Sequence, residues 1–403
     1  MTHLDQFRAL AALASFAALA ACGDVDGDYF GIDSPAVTGR DNGTLDPSVC
    51  PSDAPVLGQA GTAFWQTFDI SWQSGGLDAV VGDYMYFVVP DDIVSLAVTV
   101  DQGSRMTAIN QAVLGGTVLL DLRTDLEEPP FLHAPVEAAT FAMPVNGSTY
   151  PRLGCLAIDP VAYDTSGGET GKLHIVTRRD RVAPSVIDLH VIVVGDTDIT
   201  DEEIDDGIAR MEELYANTGQ VGVGNVTYQS LDWHTTIIDD ESSEAGELRR
   251  QRTSDDPFAL NVFFIQDFAV EGVLGVAAGT PGPNGVPETA GSGVIIGVDS
   301  HLDGEGVAVL TNLLGETLAH EAGHQLGLFH TSEAEGTAHD PIADTPECSA
   351  ANDVDGDGEL TATECDGRGG RNFMFWTAGD FDQTDVTAEQ AAVLRDNVIA
   401  RPQ

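Results

Sequence analysis

Eleven residues constrain this chain more than any other stretch. They are His320-Glu321-Ala322-Gly323-His324-Gln325-Leu326-Gly327-Leu328-Phe329-His330, which read H-E-x-x-H-x-x-G-x-x-H. Residues four apart share one face of an α-helix, so a helix here presents His320 and His324 one turn apart. Two imidazoles so placed can hold one zinc ion, each ring nitrogen about 2.0–2.1 Å from the metal. Glu321 projects beside them and can serve as general base toward a metal-bound water. Gly327 can end the helix through left-handed backbone that other residues resist. The turn then returns His330 as a third ligand. Three protein ligands leave the fourth tetrahedral position open, which separates a catalytic zinc site from a structural one. The competing reading is a helix that happens to carry histidines. Five fixed positions within eleven residues, in a chain with ten histidines, favour the metal.

The rest of the composition narrows the class. At 403 residues and 42% hydrophobic, the chain is long enough for two packed domains. Lys and Arg number 17 against 65 Asp and Glu, a net charge of −48, and Lys172 is the only lysine. Such a surface repels nucleic acid and anionic membrane, so nucleic-acid binding is excluded. The charge is spread along the chain, unlike that of an acidic tail.

Residues 1–21 read as an export signal. Arg8 precedes an apolar run from Ala9 to Ala21, too short to span a bilayer as a mature helix. The run ends Leu19-Ala20-Ala21-Cys22, which resembles the bacterial lipobox and implies lipidation of Cys22. The alternative is an ordinary signal peptide with a nearby cysteine. Residues 22–55, rich in Gly, Asp, Pro, Ser and Thr, read as a flexible tether. With Cys22 set aside, four cysteines remain, an even number that suggests disulfides in an exported protein. Proximity pairs Cys348 with Cys365 and Cys50 with Cys155. A competing reading makes Cys155 an inhibitory thiolate of a pro-segment, which would strand Cys50.

Residues 56–180 read as a β-sandwich domain. Phe64–Trp72, Val80–Val89, Ile93–Asp101, Thr117–Leu122 and Lys172–Arg178 are apolar or alternating runs separated by turn residues. Beyond Val182-Ala183-Pro184 strands alternate with helices, giving an α+β class for residues 185–403. Ile187–Val194, Val226–Leu231, Ala259–Gln266 and Gly291–Val298 are expected strands. Thr200-Asp201-Glu202-Glu203 is a capping box opening a helix that Gly219 ends. The histidine-bearing helix is expected from Val309 to Leu326. A terminal helix is expected from Thr387 to about Ala400.

A second metal motif lies between. Asp353-Val354-Asp355-Gly356-Asp357-Gly358-Glu359-Leu360-Thr361-Ala362-Thr363-Glu364 matches the calcium-loop pattern D-x-D-x-D-G-x5-E. Asp353, Asp355, Asp357 and Glu364 would supply carboxylates, with the Glu359 carbonyl and Thr361 completing the shell. No flanking helix pair is evident, so the pattern implies a calcium-stiffened loop, bracketed by Cys348 and Cys365.

The zinc motif resembles the signature of the metzincin metalloproteases. That resemblance implies a twisted mixed sheet, an active-site helix and a C-terminal helix. It also implies a methionine turn beneath the zinc, for which Asn372-Phe373-Met374-Phe375 is the candidate through Met374. Asp340-Pro341-Ile342-Ala343-Asp344-Thr345-Pro346-Glu347-Cys348 is similar to the segment after the zinc motif in the pappalysin branch. The chain departs from that branch at Trp376, where many members carry a tyrosine, and at Cys365, which precedes the methionine. The implied activity is a zinc endopeptidase on extracytoplasmic proteins or peptides, anchored to the cell envelope through lipid, with Zn2+ and Ca2+ as cofactors. The alternative is a surface binding or adhesion lipoprotein with a secondary or inactive protease domain. A third reading makes residues 56–180 a pro-segment, cut near Arg178, Arg179 and Arg181.

Overall fold

Two antiparallel sheets occupy the first half of the computed structural model, which describes residues 50–58, 63–76, 79–103, 106–121, 137–144, 146–163, 170–181, 183–239, 243–251, 256–286 and 288–403. The signal segment, Cys22 and the expected tether up to residue 49 lie outside the described residues. The strands in chain order are β1 (Ala63–Ile70), β2 (Trp72–Gly76), β3 (Ala79–Gly82), β4 (Met85–Val89) and β5 (Ser95–Asp101), then β6 (Thr107–Leu114), β7 (Thr117–Asp121), β8 (Ala138–Met143), β9 (Gly154–Tyr163) and β10 (Gly171–Arg178). One sheet has the order β1-β10-β5-β8. The other is β2-β3-β9-β6-β7, with β4 also on β9. Leu96, Val98, Leu173 and Ile175 of the first meet Phe87, Ile109, Leu156 and Ile158 of the second in one apolar core.

Here the structure corrects several sequence expectations. The run Val80–Val89 divides into β3 and β4 around Asp83-Tyr84. Strands β6, β8 and β9 were not expected. β9 is flanked on both edges and buried along nearly its whole length, so it lacks the alternation of a half-exposed strand. It also carries Pro160, and the ladder accommodates it with a register shift between Ile109 and Gln111 of β6. The last residues of the expected tether are held rather than free. Val88 N–H donates to Pro55 O at 2.8 Å, Leu57 N–H donates to Val88 O at 2.9 Å, and Cys50 is bonded to Cys155.

The second half contains β11 (Ser185–Val194), α1 (Asp201–Ala216), β12 (Val221–Leu231), β13 (Ile237–Ile238), α2 (Ser243–Arg249) and β14 (Leu260–Ile265). They are followed by β15 (Asp267–Phe268), β16 (Gly275–Ala277), β17 (Val294–Gly297), α3 (Thr311–Leu326), α4 (Ala388–Arg395) and β18 (Arg401–Pro402). The main sheet has the order β12-β11-β14-β17-β16. Its first four strands are parallel and β16 is an antiparallel edge. Thr200 and Glu203 form the reciprocal cap of α1. Ile204, Ile208 and Met211 of α1 share a buried cluster with Leu314 and Leu318 of α3, and Tyr215 Oη donates to Ala319 O at 3.0 Å. This packing sets the depth of the histidine helix in the domain.

The terminal helix stops at Arg395, short of the expected Ala400. A continuing helix would direct the Ile399 N–H to Arg395 O. Instead Ile399 N–H donates to Asn397 Oδ1 at 3.1 Å, and Arg395 O receives Arg178 Nη2 of β10 at 3.1 Å. Arg178 Nη1 also donates to Ala400 O at 2.6 Å. Fully buried Asp396 accepts from Tyr150 Oη at 2.8 Å and from the Arg395 guanidinium at 2.5 Å, with Arg178 and Arg181 nearby at 3.5 and 3.6 Å. Residues of the first half therefore set the end of the last helix. Among the described residues, no helix is long and apolar enough to cross a membrane.

Candidate metal centre

Helix α3 carries His320 and His324 on one face, and its end is sharp because Gly327 takes φ 110° and ψ 17°. Leu328 N–H then donates to Gly323 O at 2.8 Å, closing the last turn. The reversal brings His330 back to the two helical histidines. The three Nε2 atoms converge: His320 to His324 is 3.0 Å, His324 to His330 is 3.1 Å and His320 to His330 is 3.3 Å. Nitrogens about 2.0–2.1 Å from one tetrahedral cation stand about 3.3–3.4 Å apart, so this triangle has the size a zinc ion requires.

The other ring nitrogens decide the tautomers. His320 Nδ1 lies 2.7 Å from Phe373 O, His324 Nδ1 lies 2.7 Å from Leu328 O and His330 Nδ1 lies 2.9 Å from Glu333 Oε2. Each partner is an acceptor, so each Nδ1 carries its hydrogen and donates. All three Nε2 lone pairs consequently face the same point, an arrangement that repels itself unless a cation sits there. Burial pushes His320 down to about 3 and His324 well below the usual imidazole range, with the neighbouring histidines adding to it. Neutral imidazole is the ligating form, so the donor set fits zinc. Glu333 was not identified from sequence. A glutamate three residues past the last histidine, on a short turn, is the signal that was available.

Glu321 is 6% exposed and lies against edge strand β16. Burial pushes its carboxyl up to about 7; neighbouring His330, a hydrogen bond from the Ala277 N–H and the charge of Arg249 act in the opposite direction. Among the described residues its Oε2 has no hydrogen-bond partner. A carboxylate with one oxygen held by backbone and the other free is arranged to accept a proton.

Met374 lies directly under α3. A Cβ at Gly323 would sit 2.5 Å from Met374 Sδ, so only glycine at that helix position lets the sulfur approach. Trp376 is buried, and its Nε1–H donates to Leu360 O at 2.7 Å. That donor is committed to the loop beneath, so Trp376 does not take the role of the tyrosine that the resemblance would place there. Asp340 Oδ1 accepts from Thr345 Oγ1 at 2.6 Å, and burial pushes Asp340 up to about 7. Asp344 Oδ2 accepts from Glu389 N–H at 3.1 Å while Ala343 N–H donates to Glu389 Oε2 at 3.2 Å. The Asp340–Thr345 segment thereby docks on the first turn of α4.

The structure brings together Asp353, Asp355 and Asp357, with carboxylate oxygens within 4.8 Å of one another. Glu364 is not in that group. Its Oε1 accepts from Val354 N–H at 2.8 Å and its Oε2 from Thr361 N–H at 2.9 Å. The Thr361 hydroxyl, expected as a ligand, lies 2.9 Å from the same Oε2. Backbone amides satisfy the carboxylate expected at loop position 12. Glu359 N–H donates to Asp357 Oδ1 at 2.9 Å. Both expected disulfides are formed, with Cα–Cα distances of 5.2 Å for Cys50–Cys155 and 5.7 Å for Cys348–Cys365. A bonded Cys155 is no thiolate ligand, which removes that alternative.

No family model matches the chain. It is 29% identical over 161 residues to an extracellular metalloprotease of Colletotrichum graminicola, covering 37% of this chain and 50% of the relative. The chain thus spans about half the length of that curated relative. Among solved structures, metalloproteinase-II from Bacteroides fragilis aligns with a TM-score of 0.28 and 14% identity, over 40% of this chain and 53% of the other. Archaemetzincin from Methanopyrus kandleri aligns with a TM-score of 0.24 and 20% identity, over 36% of this chain and 75% of the other. Over a little more than a third of its length, then, the chain is similar to an extracellular metalloprotease.

Proposed function

We propose that the protein is a zinc-dependent endopeptidase of metzincin type, closest to the pappalysin branch, acting on extracytoplasmic proteins or peptides. The observation that carries this reading is the convergence of three Nε2 lone pairs, each with its Nδ1 anchored, beside a buried carboxylate with one free oxygen. His320, His324 and His330 would hold the metal. Zinc bound there supplies Lewis-acid polarisation of a scissile carbonyl and acidifies a water. Glu321 accepts a proton from the attacking water at Oε2 and returns it to the leaving amine.

Glu321→Gln tests the reading. Zinc content by elemental analysis should stay at wild-type level while cleavage of a casein-type substrate falls about 10²- to 10⁴-fold. An active Glu321→Gln protein sinks the assignment.

Export through residues 1–21, lipidation at Cys22 and anchoring in the cell envelope complete the proposal. Residues 56–180 form its β-sandwich domain and residues 185–403 its protease domain. Calcium binds the Asp353–Glu364 loop, with Glu364 turning toward the three aspartates when the cation enters. The loop reaches the zinc region through Leu360, whose N–H donates to Ala334 O at 2.7 Å and whose carbonyl holds Trp376. Calcium added to chelator-stripped, zinc-reloaded protein should therefore raise the melting temperature, and an unchanged value removes the calcium assignment.

A further inference from the structure

Behind the zinc triangle sits a pair of amide side chains that the proposed reaction does not use. Asn372 and Gln390 are 1% and 0% exposed. Asn372 Nδ2 donates to Gln390 Oε1 at 2.9 Å, and Gln390 Nε2 donates to Asn372 Oδ1 at 3.0 Å. A backbone amide fixes the orientation of each. Met374 N–H donates to Asn372 Oδ1 at 2.9 Å, and Thr387 N–H donates to Gln390 Oε1 at 3.0 Å. Reversing either amide would set donor against donor at a backbone N–H and break the reciprocal bonds. The pair therefore has one consistent arrangement, and it shapes the turn from Asn372 to Phe375.

That turn meets the histidines through its carbonyls. Phe373 O accepts from His320 Nδ1–H at 2.7 Å, and Met374 O accepts from Thr331 N–H, next to His330, at 3.0 Å. We propose that the Asn372–Gln390 pair is a positioning device for the zinc ligands. It locks the methionine turn to the start of α4 and so fixes the tautomer and aim of His320 and the backbone beside His330. This rests on the zinc reading of the site. Neither residue touches substrate or metal.

The test replaces the donor without changing the shape. Gln390→Glu puts a carboxylate oxygen against Asn372 Oδ1 while keeping the acceptor for Thr387 N–H. Gln390→Met removes both bonds and serves if the first variant does not fold. Thr387→Ala is the control, because it removes the hydroxyl cap of α4, which accepts from Gln390 N–H at 3.2 Å, and leaves the amide pair intact. The expected result is about tenfold weaker zinc binding in a chelator competition for the Gln390 variants. The ligand-field spectrum of their cobalt-substituted form should also shift. Thr387→Ala should lower the melting temperature with zinc affinity and spectrum unchanged. Wild-type affinity and spectrum in a folded Gln390 variant overturn the proposal, as does an equal loss of affinity in Thr387→Ala. Wild-type protein that takes up no zinc overturns the proposed function instead, and is told apart because the loss then precedes any substitution.

Discussion

Glu333 offers a quantitative test of how the third histidine is held. His330 Nδ1–H donates to Glu333 Oε2 at 2.9 Å; the His330 side chain is 3% exposed and that of Glu333 25%. A hydrogen bond to a charged group contributes about 1.5–3 kcal/mol and a neutral one about 0.5–1.5 kcal/mol. Glu333→Gln keeps an acceptor and loses the charge, so the difference is about 1 kcal/mol, or roughly fivefold in zinc affinity. Glu333→Ala removes the acceptor altogether. The ring is then free to move its hydrogen to Nε2, the form that cannot ligate, and the expected loss is about 10- to 100-fold. Competition against a chromogenic chelator near neutral pH measures both. In the background of His330→Ala the Glu333→Ala change should have no further effect, because its influence runs through that ring. Zinc affinity within twofold of wild type in Glu333→Ala, or an additive loss in the double variant, refutes the argument.

Three further expectations concern stability. Asp396→Asn leaves the 3% exposed Arg178 without its counter-charge. The cost should be about 3 kcal/mol, the low end for a broken buried pair, since Arg181 is half exposed. Calorimetry that finds under 1 kcal/mol contradicts the burial argument. The pH dependence has a definite sign. Burial alone would raise the Asp396 carboxyl, but the Arg395 and Tyr150 hydrogen bonds and the nearby arginine charges hold it below the ordinary 3.8. A depressed carboxylate contributes stability above the unfolded value and loses it as pH falls through the folded one, so wild type should shed this advantage over Asp396→Asn only below about pH 4. Gly323→Ala puts a methyl 2.5 Å from Met374 Sδ and 3.2 Å from Phe373 Cε2. Overpacking there should cost about 1–3 kcal/mol, read as a lower melting temperature, and a neutral result would mean the methionine turn has slack.

The histidine triad was legible because its spacing is a local geometric instruction. Four residues on a helix, a glycine and a three-residue return place three rings together wherever the helix packs. The capping boxes at Thr200 and Thr387 and the Cys348–Cys365 disulfide were legible for similar reasons of short range, while Cys50–Cys155, 105 residues apart, followed because only those two cysteines were left to pair. β9 was not, because a strand covered on both edges and both faces loses the alternation that marks a strand in sequence. The end of α4 was not, because Arg178, more than two hundred residues upstream, takes the carbonyl that would have continued it.

By itself the sequence determined the identity of the donor atoms and the face on which two of them stand. Only the tertiary structure decided that His320 turns its Nε2 to the centre, since Phe373 O lies 53 residues further along the chain, whereas Leu328 O and Glu333 Oε2 lie four and three residues from the rings they hold. It also decided the state of Glu321, a carboxylate left with one free oxygen and raised toward neutrality by burial beside β16. Both depend on acceptors and on burial contributed by chain remote in sequence, which spacing within one motif does not encode.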